Sequence, residues 1–355
     1  MLCKDISCIK GLWKRLKWAL LHNSGVHVAL ITVLWLVLIV TAHFELNKEK
    51  QTRKQITMGY MPVVTNLASP ILDYVSREGD GLRFKSLKFS SFAEMAESLR
   101  NRQIDAAFII APLAIELRQQ GEDVKVVYIG NRHESTLVAR KDLDVNNLND
   151  LIGKTVAVPM RYSGHNLSIL QLIEEKGLDG QINVVEMNPP DMASALSTGS
   201  LDAYYVGEPF AASTLLSGAS KLVHYVEDVW DGFICNLVLV RQDWIDEDPE
   251  AVKALVDGAV RSGLWARNNS KQAADIASMY WNQSPDLVEY ALTTPKDRIL
   301  FDRYIPVEEE MQYMADMMLH FGLIDNNDIT GLIDDQFARD TDLENIDGTE
   351  SIMNF

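Results

Sequence analysis

A chain of 355 residues that is 47% hydrophobic and 23% charged is long enough for two ordinary domains and too apolar to be disordered. Its net charge of −17 is uneven: residues 1–54 hold nine Lys/Arg against three acids, so the rest carries −23 and lacks the basic footprint of a nucleic-acid-binding protein. Three cysteines, two of them (Cys3 and Cys8) ahead of the body, exclude a disulfide framework and leave Cys235 as a small core side chain.

Val26–Phe44 reads VHVALITVLWLVLIVTAHF, ionisable only near its ends at His27 and His43, and matches the roughly 20 apolar residues that span a bilayer. Trp13, Trp18 and a Lys/Arg cluster precede it. The positive-inside rule places residues 1–25 in the cytoplasm and the body on the far side of the membrane. Val40-Thr41-Ala42 also suits a peptidase, so the segment is either a retained anchor or a cleaved signal sequence, and both export the body.

From about residue 55, β-rich runs alternate with helical stretches. Strands are expected over Ile56–Tyr60, Leu82–Phe89, Ala106–Ile110, Val124–Ile129, Thr155–Val158, Ile182–Glu186, Ala203–Val206 and Phe233–Val240. Helical patterns fall over Ser91–Asn101 and Asn166–Lys176, and this alternation indicates α/β units with mainly parallel sheets. Beyond Trp244 the chain is helical over Pro249–Arg267, Lys271–Trp281 and Val307–Phe321. In the last of these Met311, Met314, Met317 and Met318 read as a core stripe. The acidic stretch from Asp334 reads as mobile and solvated.

An internal repeat organises the body. Residues 95–112, MAESLRNRQIDAAFIIAP, align without a gap on residues 192–209, MASALSTGSLDAYYVGEP. Met95 meets Met192, Leu99 meets Leu196, Asp105-Ala106 meets Asp202-Ala203 and Pro112 meets Pro209; the same offset pairs Pro62 with Pro159. Each copy is a helix, a turn through Asp, a buried strand and a proline at the next helix start. Two equivalent α/β lobes imply a cleft, with ligand groups on the loops beyond the carboxyl ends of the strands.

Gly59–Asn66 (GYMPVVTN), Lys154–Leu170 (KTVAVPMRYSGHNLSIL) and Asp202–Ala211 (DAYYVGEPFA) resemble the nitrate/sulfonate/bicarbonate-type substrate-binding proteins of ABC importers and the related pyrimidine-precursor-binding proteins. The resemblance runs from about residue 55 to about residue 325. It implies a two-lobed periplasmic-binding fold of type II, with lobe one formed by residues 55–138 plus 236–355 and lobe two by residues 139–235. Crossing segments would lie near His133–Lys141 and Phe233–Arg241, and lobe closure would trap the ligand. It implies an ABC permease and its ATPase as partners, at the periplasmic or extracytoplasmic face.

Tyr60, Thr65 and Asn66 follow the first strand and offer an aromatic wall and neutral hydrogen-bond partners; Thr65 or Asn66 can equally be a helix cap. Ser163, Gly164, His165 and Asn166 open a helix whose free N–H groups suit an anion, although a lone histidine is more often structural. Glu208 stands where the first copy of the repeat has Ala111, and is either a ligand acceptor or a helix-start carboxylate. The resemblance adds Ile110, Ala111 and Phe210 as cleft residues, with His133, Ser135 and Asn236 as weaker candidates at the crossings.

No phosphate-binding loop, nucleophile elbow or metal-ligand cysteine pair occurs, so neither catalysis nor a cofactor is expected. The cysteine-rich motif of the fold-related thiamine-pyrimidine synthases has no counterpart. An oxyanion or sulfonate is the first ligand class. A heterocycle stacked on Tyr60, Tyr162 or Phe210, or a membrane-tethered sensory role, remains the alternative.

Overall fold

The structure is a computed structural model that describes residues 24–46 and 53–353, as two units. The basic N-terminal segment, with Trp13, Trp18, Cys3 and Cys8, lies outside the described residues up to residue 23. Helix α1 runs from Ser24 to Leu46, and its stretch Ser24–Phe44 has a mean hydropathy of 2.4, long and apolar enough to cross a membrane. The Thr32 and Thr41 hydroxyls donate back to the Val28 and Val37 carbonyls at 2.9 and 2.5 Å, which hides their polarity within the helix.

In the body the strands are β1 (Gln55–Tyr60), β2 (Arg83–Lys88), β3 (Ala106–Ile110), β4 (Val124–Ile129), β5 (Ser135–Arg140), β6 (Thr155–Val158), β7 (Asn183–Glu186), β8 (Ala203–Gly207), β9 (Ser220–Tyr225) and β10 (Asn236–Arg241). They form two sheets of one design, β2-β1-β3-β10-β4 and β7-β6-β8-β5-β9. In each, one strand runs antiparallel to its neighbours: β10 in the first and β5 in the second. These are the two strands that the crossing segments deliver, so each sheet is completed by chain returning from the other half.

The sequence reading missed β5 and β9. β5 is a buried central strand, but it continues directly from the crossing and was expected as part of it. Residues 135–138, expected in the first lobe, therefore pair within the second sheet. The crossings themselves are residues 130–134 and 226–235.

Helices α2 (Ala68–Val75), α3 (Phe92–Arg100) and α4 (Ala111–Gln119) belong to the first half, and α5 (Gly164–Glu175), α6 (Pro189–Ser197) and α7 (Phe210–Leu216) to the second. The C-terminal helices α8 (Gln242–Glu247), α9 (Pro249–Asn268), α10 (Ser270–Trp281), α11 (Pro285–Thr293) and α12 (Glu308–His320) return to the first half. One apolar cluster holds the first half together. A second joins Met61, Ile110 and Ala111 to Leu167, Phe210 and Ala211 across the seam between the halves. All four methionines of the α12 stripe are buried in that second cluster, as core.

The repeat is physical. The Asp105 carboxylate accepts the Thr57 N–H at 2.7 Å and the Asp202 carboxylate accepts that of Thr155 at 2.9 Å, so each aspartate ties the turn before its strand to the neighbouring strand. Met95, Leu99, Met192 and Leu196 are buried. The acidic stretch from Asp334 is a correction: Phe337, Ala338 and Ile352 are buried, and the Arg261 guanidinium gathers the carbonyls of Asp342, Glu344 and Ser351. A few apolar side chains and one buried guanidinium outweigh the solvation of its acids.

Candidate functional site

Where the two crossings meet, backbone hydrogen bonds tie them to one another and to the loops beside them. Gly232 N–H donates to His133 Nε2 at 2.9 Å, and Arg132 exchanges backbone bonds with Leu300, which lays the loop after α11 along the first crossing. At Gly130 a side chain is excluded, because a Cβ there would stand 2.2 Å from the Thr65 carbonyl oxygen. The crossing thus lies directly on the loop after β1. Val64 N–H in that loop donates to the Glu208 carbonyl at 2.8 Å, a backbone bond from one half to the other.

Behind this seam is a buried polar chain. Ser135 Oγ donates to Glu134 Oε1 at 3.1 Å and lies 2.9 Å from His165 Nε2. With the hydroxyl proton committed to Glu134, the network assigns the imidazole proton to Nε2 and leaves Nδ1 as an acceptor without a partner among the described residues. His165 Nε2 is 4.0 Å from Cys235 Sγ, and the thiol donates to Asn236 Oδ1 at 3.1 Å. Asn236 in turn donates to Asn66 Oδ1 at 2.7 Å.

Charge gathers beside this chain. Glu208 accepts from the Thr136 hydroxyl at 2.7 Å and from the Ala212 N–H at 2.8 Å, and Glu134 Oε2 accepts the Glu208 N–H at 2.7 Å. Arg298, from the loop after α11, donates through Nε to Glu227 at 2.7 Å. One of its terminal nitrogens is 3.7 Å from Glu208 Oε1. Burial, with Glu208 beside it, pushes the Glu134 carboxyl up to about 7. Burial also raises Glu208, opposed by Arg298 and its two hydrogen bonds. His165 is pushed down to about 3 by burial, and the Cys235 thiol is pushed up by burial and by Glu134.

The structure brings most of the sequence-derived candidates to this seam. Thr65, Ile110, Ala111, His165, Glu208 and Phe210 meet there, with the Ala111 N–H on the Cys235 carbonyl at 2.9 Å. Asn66 is there as a strut, its amide donating to the carbonyls of Met61 and Phe108. Ser163 caps α5 by accepting the Asn166 N–H, Asn166 donates to the Arg161 carbonyl, and a Cβ on Gly164 would stand 2.6 Å from the Phe233 ring. The start of α5 is thus packed against Phe233.

Tyr60 is placed elsewhere. Alternation along β1 turns Ile56, Met58 and Tyr60 into the first-half core, where the Tyr60 hydroxyl donates to the Tyr280 carbonyl at 3.3 Å. The sequence reading passed over Glu134, Thr136, Glu227 and Arg298. Glu134 carried a signal, an acid between the two weaker candidates His133 and Ser135; Arg298 carried none.

Comparison with known proteins places the fold in a family. The chain is 23% identical to a candidate aliphatic sulfonates-binding protein of Bacillus subtilis (strain 168), over 74% of this chain and 79% of that one. It is 29% identical to the taurine-binding periplasmic protein of Escherichia coli (strain K12), over 49% of this chain and 54% of that one. The periplasmic nitrate-binding protein of Synechocystis PCC 6803 superposes with a TM-score of 0.72 at 16% identity, over 81% of this chain and 88% of that one, which shows the shared fold. The NMT1-like family matches residues 49–280, and the chain belongs to that family.

Proposed function

We propose that this chain is the solute-binding component of an ABC importer, which captures a small oxyanion or sulfonate between its two halves and presents it to a permease and its ATPase. The observation that carries this is the buried polar seam. Glu134 and Ser135, His165, Glu208 and Arg298 come from four separate segments, are all buried, and meet beside the two crossings that join two sheets of one design. Convergent polar groups in an apolar surround suit a small polar ligand. The sulfonate, taurine and nitrate named for the relatives set the ligand class, and α1 serves to hold the body at the extracytoplasmic face or to export it.

We read the seam as non-catalytic. Ser135, His165 and Cys235 adjoin, but an imidazole held near a pKa of about 3 is a poor base, and its Nδ1 meets no orienting carboxylate among the described residues. A raised thiol is a poor nucleophile.

A thermal-shift panel on the full chain in detergent tests the reading, with nitrate, nitrite, bicarbonate, taurine, alkanesulfonates and aminopyrimidines. A ligand at about a hundred times its dissociation constant adds about 2.7 kcal/mol, a rise of a few degrees. A hit among the anions supports the proposal. A hit confined to aminopyrimidines replaces the ligand class, and silence from folded protein removes it.

A further inference from the structure

Three arginines are buried among the described residues: Arg132, Arg261 and Arg298. Arg132 uses every arm. Its Nε donates to the Arg303 carbonyl at 3.0 Å, one terminal nitrogen to the Gly232 carbonyl at 2.6 Å and Glu310 at 3.0 Å, and the other to Glu310 at 2.7 Å. Arg261 is equally committed, with Nε and both terminal nitrogens on the carbonyls of Ser351, Asp342 and Glu344. These two are struts.

Arg298 differs. Its Nε holds Glu227, one terminal nitrogen holds the Ser135 carbonyl, and the guanidinium lies 4.1 Å over the Tyr225 ring. The other terminal nitrogen has no hydrogen-bond partner among the described residues, since Glu208 Oε1 at 3.7 Å is beyond bonding distance. The side chain is 3% exposed. A buried cationic donor with a carboxylate at ion-pair distance but no hydrogen bond keeps an unmet bond, and packing alone gives no account of it.

Its position is equally informative. Arg298 is carried by the first-half loop, yet Ser135, Glu208, Tyr225 and Glu227 all belong to the second half or its crossing. Three fixed contacts aim the free nitrogen at the seam beside Glu208.

We propose that Arg298 takes the anionic oxygen of the ligand on its free nitrogen and converts occupancy into closure of the two halves. This rests on the solute-binding reading above. A guanidinium matches the spread negative charge of a sulfonate or planar oxyanion in both charge and direction. With Glu227 and Glu208 already beside it, one further oxygen completes its coordination.

The test measures affinity of the full chain for taurine, ethanesulfonate and nitrate, with small-angle scattering as the readout of compaction. The expected result is that the probe bound by the wild type loses about a hundredfold in affinity in Arg298→Gln, together with its compaction, as the loss of a charge-assisted contact implies. Arg298→Lys keeps the charge without the fork and loses about tenfold. If Arg298→Gln fails to fold, Arg298→Lys decides alone. Binding and compaction left within threefold by the variants that fold would overturn the role of Arg298 and leave the solute-binding reading standing. No binding of any probe to the wild type would overturn both.

Discussion

The two copies of the repeat agree in their scaffold and differ at their tips. Asp105 and Asp202 make the same bond to a neighbouring strand, at 2.7 and 2.9 Å, and the helices before them bury Met95 and Met192 alike. One residue past each strand the copies part: Ala111 gives only its backbone to the seam, whereas Glu208 gives a carboxylate with two donors of its own. Folding is served by what the halves share, and polarity at the seam by what only one of them has. Arg298, outside the repeat altogether, supplies the opposite charge.

Four measurements test this contrast. The largest effect is expected for Gly130→Ala, whose Cβ meets a backbone oxygen that cannot give way; urea unfolding should show a loss of about 3 kcal/mol. A loss below about 1 kcal/mol would mean that the crossing shifts freely off the loop after β1. Asp105→Ala and Asp202→Ala should each cost about 2 kcal/mol and match one another; a large inequality breaks the equivalence of the copies.

Acidity separates seam from scaffold more gently. Glu134 is raised from 4.5 to about 7, so its contribution to stability is full below about 4.5 and is lost as pH rises through 7. His165 is lowered from 6.5 to about 3, so its contribution is full above 6.5 and is lost as pH falls toward 3. The two slopes oppose one another between about pH 4.5 and 6.5, so thermal midpoints there should rise more steeply with pH in Glu134→Gln and fall with pH in His165→Asn. Unchanged profiles would remove both groups from the linkage. The smallest effect is expected for Glu208→Gln, about 1 kcal/mol, because the amide keeps one acceptor for Thr136 and loses the one for Ala212. A loss several times larger would make Glu208 chiefly a structural group.

Much of the fold was legible in the sequence because it repeats and alternates. β3, β4 and β6 occupy the ranges that their apolar runs indicated, and the offset between Met95 and Met192 exposed the second half. β5 was not legible: its apolar run directly continues the crossing and was read as part of it. The residues of the seam were legible where they follow a strand directly, as with Glu208, or open a helix, as with His165. Tyr60 misled because its position beside the loop suggested the cleft, while the two-residue period of β1 assigns it to the core. Arg298 was beyond reach, since nothing local marks Pro295–Tyr304 as the segment that runs beside residues 130–134.

Cys235 gives the seam a chemical clock. Its thiol is 3% exposed, next to His165 and Glu134, with its acidity suppressed by burial. A neutral alkylating reagent can reach it only from an opened form. The labelling rate is then the product of the opening equilibrium and the intrinsic reactivity of a free thiol, as in amide exchange. Its labelling rate thus lets the breathing of the two halves be counted in seconds, on the unaltered body.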